Sequence, residues 1–168
     1  MTRRTALWLL PIIFAAHNAE EALTFHGYLP VVQARAPLAL RPIVSAVSYP
    51  QMLVALAVAT ALPVAVVVWN ELRPRSSPAL WAALLLTTVM LLNVATHISA
   101  AVFVLRGYSP GLVTALALNL PYSLYVLSRA VRERWLSRAG LVSLLPAALV
   151  VHGALLAGLI MLAGLALR

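Results

Sequence analysis

The 168 residues are 63% hydrophobic and only 10% charged, with a mean hydropathy of +0.97, whereas an ordinary soluble domain carries about 25% charged residues. Such a chain cannot cover its own core with polar surface, so composition excludes a soluble globule and intrinsic disorder and points to an integral membrane protein. The net charge of +8 comes from arginines set in short segments between apolar runs, a topology pattern that argues against a nucleic-acid partner, and the lack of cysteine excludes thiolate metal sites, disulfides and cysteine nucleophiles.

Five runs reach the roughly 20 apolar residues that a spanning helix needs: 5–25, 43–69, 79–105, 111–131 and 141–167. The first follows Arg3 and Arg4 and so resembles a signal peptide, but its apolar stretch continues past a cleavage region and reads as a retained span. The connection 26–42 holds three prolines, room for a short interfacial segment, and His26 as a loop residue. The expected fold is all-α, one polytopic transmembrane bundle of about five helices. Arg3, Arg4, Arg73, Arg75, Arg129, Arg132, Arg134 and Arg138 fall on one side; Arg35, Arg41, Arg106 and Arg168 fall on the other. The excess places the N-terminus in the cytoplasm and the C-terminus outside, with the cell membrane as location. Trp8, Trp69, Trp81 and Trp135 lie near span ends, as an interfacial belt requires. Glu71 and Glu133, among loop arginines, read as solvated.

The remaining polar residues interrupt the apolar runs: His17, Asn18, Glu20 and Glu21 in the first, Tyr49 and Gln51 in the second, Asn93 and His97 in the third, Asn119 and Tyr122 in the fourth, His152 in the fifth. Strongly polar groups cost at least about 2.5–3.5 kcal/mol at the centre of a membrane helix and are usually functional there. Counted from the cytoplasmic ends at about 1.5 Å per residue, His17 lies roughly 15 Å deep, Glu20, Glu21 and Asn93 about 20 Å, His97 about 25 Å and His152 about 17 Å, with Gln51 and Asn119 at a similar level. His17 with Glu20 and Glu21, and Asn93 with His97, are spaced three or four residues apart and so share helical faces. Adjacent buried carboxylates need a cation nearby to be ionised together. A divalent metal supplies it, and His nitrogen with Glu oxygen suits zinc, iron or manganese rather than magnesium or calcium.

His17-Asn18-Ala19-Glu20-Glu21 spells HxxEE, and Asn93 to His97 spells NxxxH. With these motifs the chain resembles the HXXEE-motif family of small integral membrane proteins of unknown function. The resemblance implies that His17, Glu20, Glu21, Asn93 and His97 form the defining core, and it brings no reaction with it. The paired glutamate also occurs in CAAX-protease-like membrane enzymes as EExxxR, but Phe25 stands at the arginine position.

Three functional readings follow. In the first, a membrane-embedded metalloenzyme acts on a lipophilic small molecule, with hydrolysis as the default reaction: His17, His97 and Glu21 hold the metal, Glu20 is the acid–base group and Asn93 orients a ligand or polarises a substrate oxygen. Glu21 is preferred as ligand because the i, i+4 spacing from His17 is that of zincin metal ligands. His152 and Asn119 are possible additional site residues, with helix packing as the alternative for both. The second reading is metal-free acid catalysis by the glutamate pair, isomerising or cyclising an isoprenoid-like substrate. The third is non-enzymatic: haem held by paired histidines, or an ion or proton path. Membrane lipid is the surrounding partner, and a homo-oligomer is possible.

Overall fold

The computed structural model describes residues 1–36, 38, 41–73 and 77–166, which leaves Pro37, Arg75, Leu167 and Arg168 of the positions used above outside the described residues. Among those described, every regular element is helical. Helix α1 (Arg3–Arg35) is capped by the Thr2 side chain. A single turn, α2 (Arg41–Val44), precedes α3 (Tyr49–Leu72). Helix α4 (Ser77–Ser99) continues into a π-helical stretch, Ala100–Leu105. After a short loop, α5 (Leu112–Thr114), a second π-helical stretch (Ala115–Asn119) and α6 (Leu120–Arg132) form one rod. The chain ends in α7 (Arg138–Val142) and α8 (Leu144–Ala166).

The helical rods coincide with the five apolar runs, with two corrections. Helix α1 continues ten residues past Phe25, so His26 is helical, its ring edge-on to Tyr49 at 4.9 Å. The extension is amphipathic rather than apolar, and its polar side chains tie it down: Gln33 donates to the Val44 and Val47 carbonyls and Arg35 to those of Val104 and Leu105. Helix α3 starts at Tyr49, six residues later than expected, because Ser48 and Gln51 form a reciprocal capping box with Pro50 in the first turn. Gln51 is therefore a helix-start residue and not a member of a mid-span polar layer.

Helix α4 is central. Residues 83–90 are buried without a break, which is the signature of a helix enclosed on all sides, and α4 packs against α3, α6, α8 and α1. The two ends of the bundle differ. Leu7, Leu10, Leu84, Val67 and Val126 form an apolar cluster; the nearby buried Thr87 and Thr88 hydroxyls bond carbonyls of their own helix, and the Tyr122 hydroxyl donates to the Ala6 carbonyl at 3.0 Å. Beyond Phe14 and Met90 the interior turns polar. The first end also carries the Arg4–Glu71 ion pair at 2.9 Å and the Arg129 contact to the Met1 carbonyl; the second carries Arg35 and Arg41.

Two helical stretches, Tyr49–Leu72 and Ser77–Leu105, are long and apolar enough to cross a membrane, and Arg138–Ala154 is a shorter apolar helix.

Candidate metal centre

Helix α1 places His17 and Glu21 one turn apart on the same face, and α4 does the same with Asn93 and His97. The two faces meet. His17 Nε2 and His97 Nε2 are 3.2 Å apart, with the rings edge-to-face. Glu21 brings one oxygen to 3.4 Å from His97 Nε2 and the other to 4.0 Å from His17 Nε2. Donor atoms of the three residues all lie within 4.8 Å of one another, so the group can hold a metal ion. Ligands about 2.0–2.2 Å from one ion stand about 3–4 Å apart; the His17–His97 and His97–Glu21 separations of 3.2 and 3.4 Å match this. Both histidines are buried, 3% and 6% exposed.

The loop between the two π-helical stretches closes the site. The Thr114 hydroxyl lies 2.9 Å from His17 Nδ1 and donates to the Gly111 carbonyl. Its only proton being used there, it accepts from His17, which puts the His17 proton on Nδ1 and a lone pair on Nε2. His97 turns its Nε2 toward His17 and Asn93. An acceptor behind an imidazole, as Thr114 stands behind His17, is the arrangement that orients metal-bound histidines. The Asn93 amide nitrogen stands 2.7 Å from His17 Nε2 and 3.0 Å from His97 Nε2, offering one hydrogen to each lone pair.

Gly111 touches the cluster itself. Its φ is +82°, and a Cβ there would lie 2.8 Å from Glu21 Cγ, 2.8 Å from His17 Cε1 and 2.9 Å from His97 Cε1. Glycine is required twice over, by backbone conformation and by space. Sequence reasoning missed Gly111, Thr114 and Tyr108; the Pro110-Gly111 turn directly before an apolar run is the one local signal.

Glu20 faces the loop rather than the imidazole nitrogens. Its carboxylate accepts from the Tyr108 hydroxyl at 2.5 Å, the Thr114 N–H at 2.7 Å and the Val113 N–H at 3.2 Å. Burial, then the Glu20 carboxylate, pushes the Tyr108 phenol above its ordinary range, so it stays a donor. Asn18, the second residue of the motif, ties α1 to α3 through the Leu56 carbonyl and Thr60 hydroxyl. His152 meets the Thr96 hydroxyl at 3.2 Å and stands outside the metal-holding group. Asn119 is fully buried beside the same cavity as His17, Glu21 and Asn93.

The sequence model of a family described as "Protein of unknown function with HXXEE motif" matches residues 8–126. No curated protein and no solved structure matches the chain. The matched segment runs from α1 into α6 and covers most of the chain, including every residue of the His–Glu–His group and the loop that closes it. This protein belongs to the HXXEE-motif family.

Proposed function

We propose that this member of the family is an integral membrane, metal-dependent hydrolase of a lipophilic carbonyl compound. The observation that carries the reading is the convergence of two imidazole Nε2 atoms and a carboxylate at close spacing, with His17 held from behind by Thr114. A zinc, iron or manganese ion held by His17, His97 and Glu21 would supply a Lewis acid and an activated water. Turning the Asn93 amide about its last bond would present its oxygen instead of its nitrogen to the group, where it would orient a water or a substrate. Glu21 would hold the ion and, with its other oxygen, would be placed to accept a proton from water. In the overall reaction the water oxygen joins the acyl carbon, the acyl–heteroatom bond breaks, and the proton passes to the leaving group.

Membrane residence is supported by the apolar exterior. Ile12, Leu23, Val102, Phe103, Leu149, Val150, Met161 and Leu162 are among the large side chains that face outward, more than a soluble monomer exposes. A haem reading is disfavoured: axial nitrogens about 4 Å apart, twice a metal–nitrogen bond of roughly 2.0 Å, must flank a flat macrocycle, and the imidazoles are closer than that.

Elemental analysis of protein purified in detergent without added metal tests the proposal. One equivalent of zinc, iron or manganese is expected, and it should be lost in His17→Ala and His97→Ala. Wild-type protein that retains none after reloading with each ion would overturn it.

A further inference from the structure

At the arginine-rich end of the bundle, away from the His–Glu–His group, the turn between α6 and α7 and the start of α4 border an open cavity of about 680 Å³. Arg134, Arg138, Ser77 and Ser137 line its polar part, Val131 and Leu141 its apolar part, and no acidic residue is among the described residues that line it. The carboxylate of the turn is already spent: Glu133 accepts from Arg129 at 2.6 and 2.9 Å and from Trp135 Nε1 at 2.8 Å. Among the described residues Arg134 and Arg138 have no ion pair and no side-chain hydrogen bond. Two uncompensated guanidinium groups on one cavity repel each other, and an anion between them turns the repulsion into attraction. The backbone adds an independent sign. Helix α6 ends in a Schellman turn, with the Trp135 N–H on the Ala130 carbonyl at 2.9 Å and the Arg134 N–H on that of Val131 at 3.3 Å, which puts Arg134 at φ +52°. Glycine is the usual and least strained residue there. Arg129 and Arg132 already place cations in the last turn of α6, so the helix end does not call for a third.

The anion follows from the donors. A guanidinium is a planar fork of N–H groups that matches phosphate or carboxylate oxygens in pairs. The Ser137 hydroxyl accepts the Gly140 N–H at 3.1 Å and keeps its own proton to give. A carboxylate has two oxygens and is filled by one fork, whereas a phosphate has oxygens for both arginines and a hydroxyl. Two sources carry that group, free phosphate and a lipid headgroup. The apolar wall of Val131 and Leu141 favours the lipid, and basic pockets between membrane helices on the cytoplasmic side are lipid-headgroup sites. We propose that this cavity binds a phosphate group, carried by an anionic glycerolipid and held by Arg134 and Arg138. The lipid source rests on the membrane reading above; the phosphate site rests neither on it nor on the metal.

Dioctanoyl phosphatidic acid, dioctanoylglycerol and inorganic phosphate are the probes, titrated calorimetrically into the full chain in neutral detergent at fixed ionic strength. Wild-type protein is expected to bind phosphatidic acid at least tenfold more tightly than dioctanoylglycerol, which lacks the phosphate, and at least tenfold more tightly than inorganic phosphate, which lacks the tail. Arg134→Gln combined with Arg138→Gln should bring phosphatidic acid to within about twofold of dioctanoylglycerol. Arg3→Gln combined with Arg73→Gln removes the same charge from the same end outside the cavity and should leave the affinity within about twofold of wild type. Arg134→Gly is the variant that separates binding from folding: it suits the left-handed backbone, so it should unfold no earlier than wild type and yet bind phosphatidic acid at least fivefold more weakly. Inorganic phosphate bound as tightly as phosphatidic acid, with the same dependence on Arg134 and Arg138, keeps the site, makes free phosphate its source and removes the lipid. Phosphatidic acid bound no more tightly than dioctanoylglycerol, equal losses in the two double variants, or an affinity that survives in Arg134→Gln with Arg138→Gln overturns the proposal and leaves these arginines as topology charges only.

Discussion

Glu20 and Glu21 are chain neighbours with different surroundings, and their variants should behave differently. Glu21 stands 3.4 Å from His97 Nε2, so Glu21→Gln is expected to abolish zinc binding in elemental analysis while the fold persists. Glu20 holds Tyr108, Val113 and Thr114. Glu20→Gln should keep some zinc but lower stability by on the order of 1–3 kcal/mol, the worth of hydrogen bonds to a charged group, read by thermal unfolding in detergent. Zinc lost only in the Glu20 variant would reverse the two roles. Gly111→Ala tests the closure from the other side. An added methyl meets His17, Glu21 and His97 at under 3 Å, and a non-glycine residue in that backbone region adds roughly 1–3 kcal/mol of strain. Zinc affinity should fall at least tenfold in a competition titration; unchanged affinity would show that the loop does not rest on the metal group. The contrast explains what the sequence reveals at this scale. His17, Glu21, Asn93 and His97 are legible because spacing along one helix fixes a shared face. Gly111 and Thr114 act across nearly a hundred residues of chain, and nothing local marks that reach.

Elements were misread wherever apolarity was taken as the measure of helicity. The apolar run of α1 stops at Phe25, yet the helix runs to Arg35, because Gln33 and Arg35 find carbonyl partners on neighbouring segments. The reverse error placed Gln51 inside a span although Ser48, Pro50 and Gln51 spell a helix start. The π-helical stretches at 100–105 and 115–119 frame the closing loop, and only the proline after the second hints at them. Polar ties between elements are individually weak. The Tyr122 bond to the Ala6 carbonyl joins α6 to α1 at the apolar end, and such interhelical bonds average about 0.6 kcal/mol in membrane proteins. Tyr122→Phe is therefore expected to cost less than about 1 kcal/mol in thermal unfolding and to leave zinc content unchanged, since the bond lies away from the metal group. A loss of zinc in that variant would mean that the two ends of the bundle are coupled.

At the scale of the whole molecule, the two ends sort the arginines. The Arg4–Glu71 pair and the Arg129 bond to the Met1 carbonyl bring the start of α1, the end of α3 and the end of α6 together, and Arg35 reaches the opposite end at Val104 and Leu105. The Trp81 and Trp135 side chains hydrogen-bond at the first end, to Ser143 and Glu133, as residues anchored at a polar boundary do. The bundle thus has one arginine-rich, tryptophan-bearing end next to the apolar cluster and one end holding the His–Glu–His group. If the chain spans a membrane as proposed, with the arginine-rich end cytoplasmic, the His–Glu–His group lies toward the outer half of the bilayer, and its ion and water would come from outside. Reporter fusions after residue 1, between residues 73 and 77 and after residue 168 should then report inside, inside and outside. Fusions at the two termini giving the same side would remove the odd number of crossings. An external N-terminus with a cytoplasmic C-terminus would keep the bundle but turn the site toward the cytoplasmic half. A membrane-impermeant chelator added to sealed, right-side-out vesicles separates the last two cases: it should strip the zinc if the site faces outward and leave it if the site faces in.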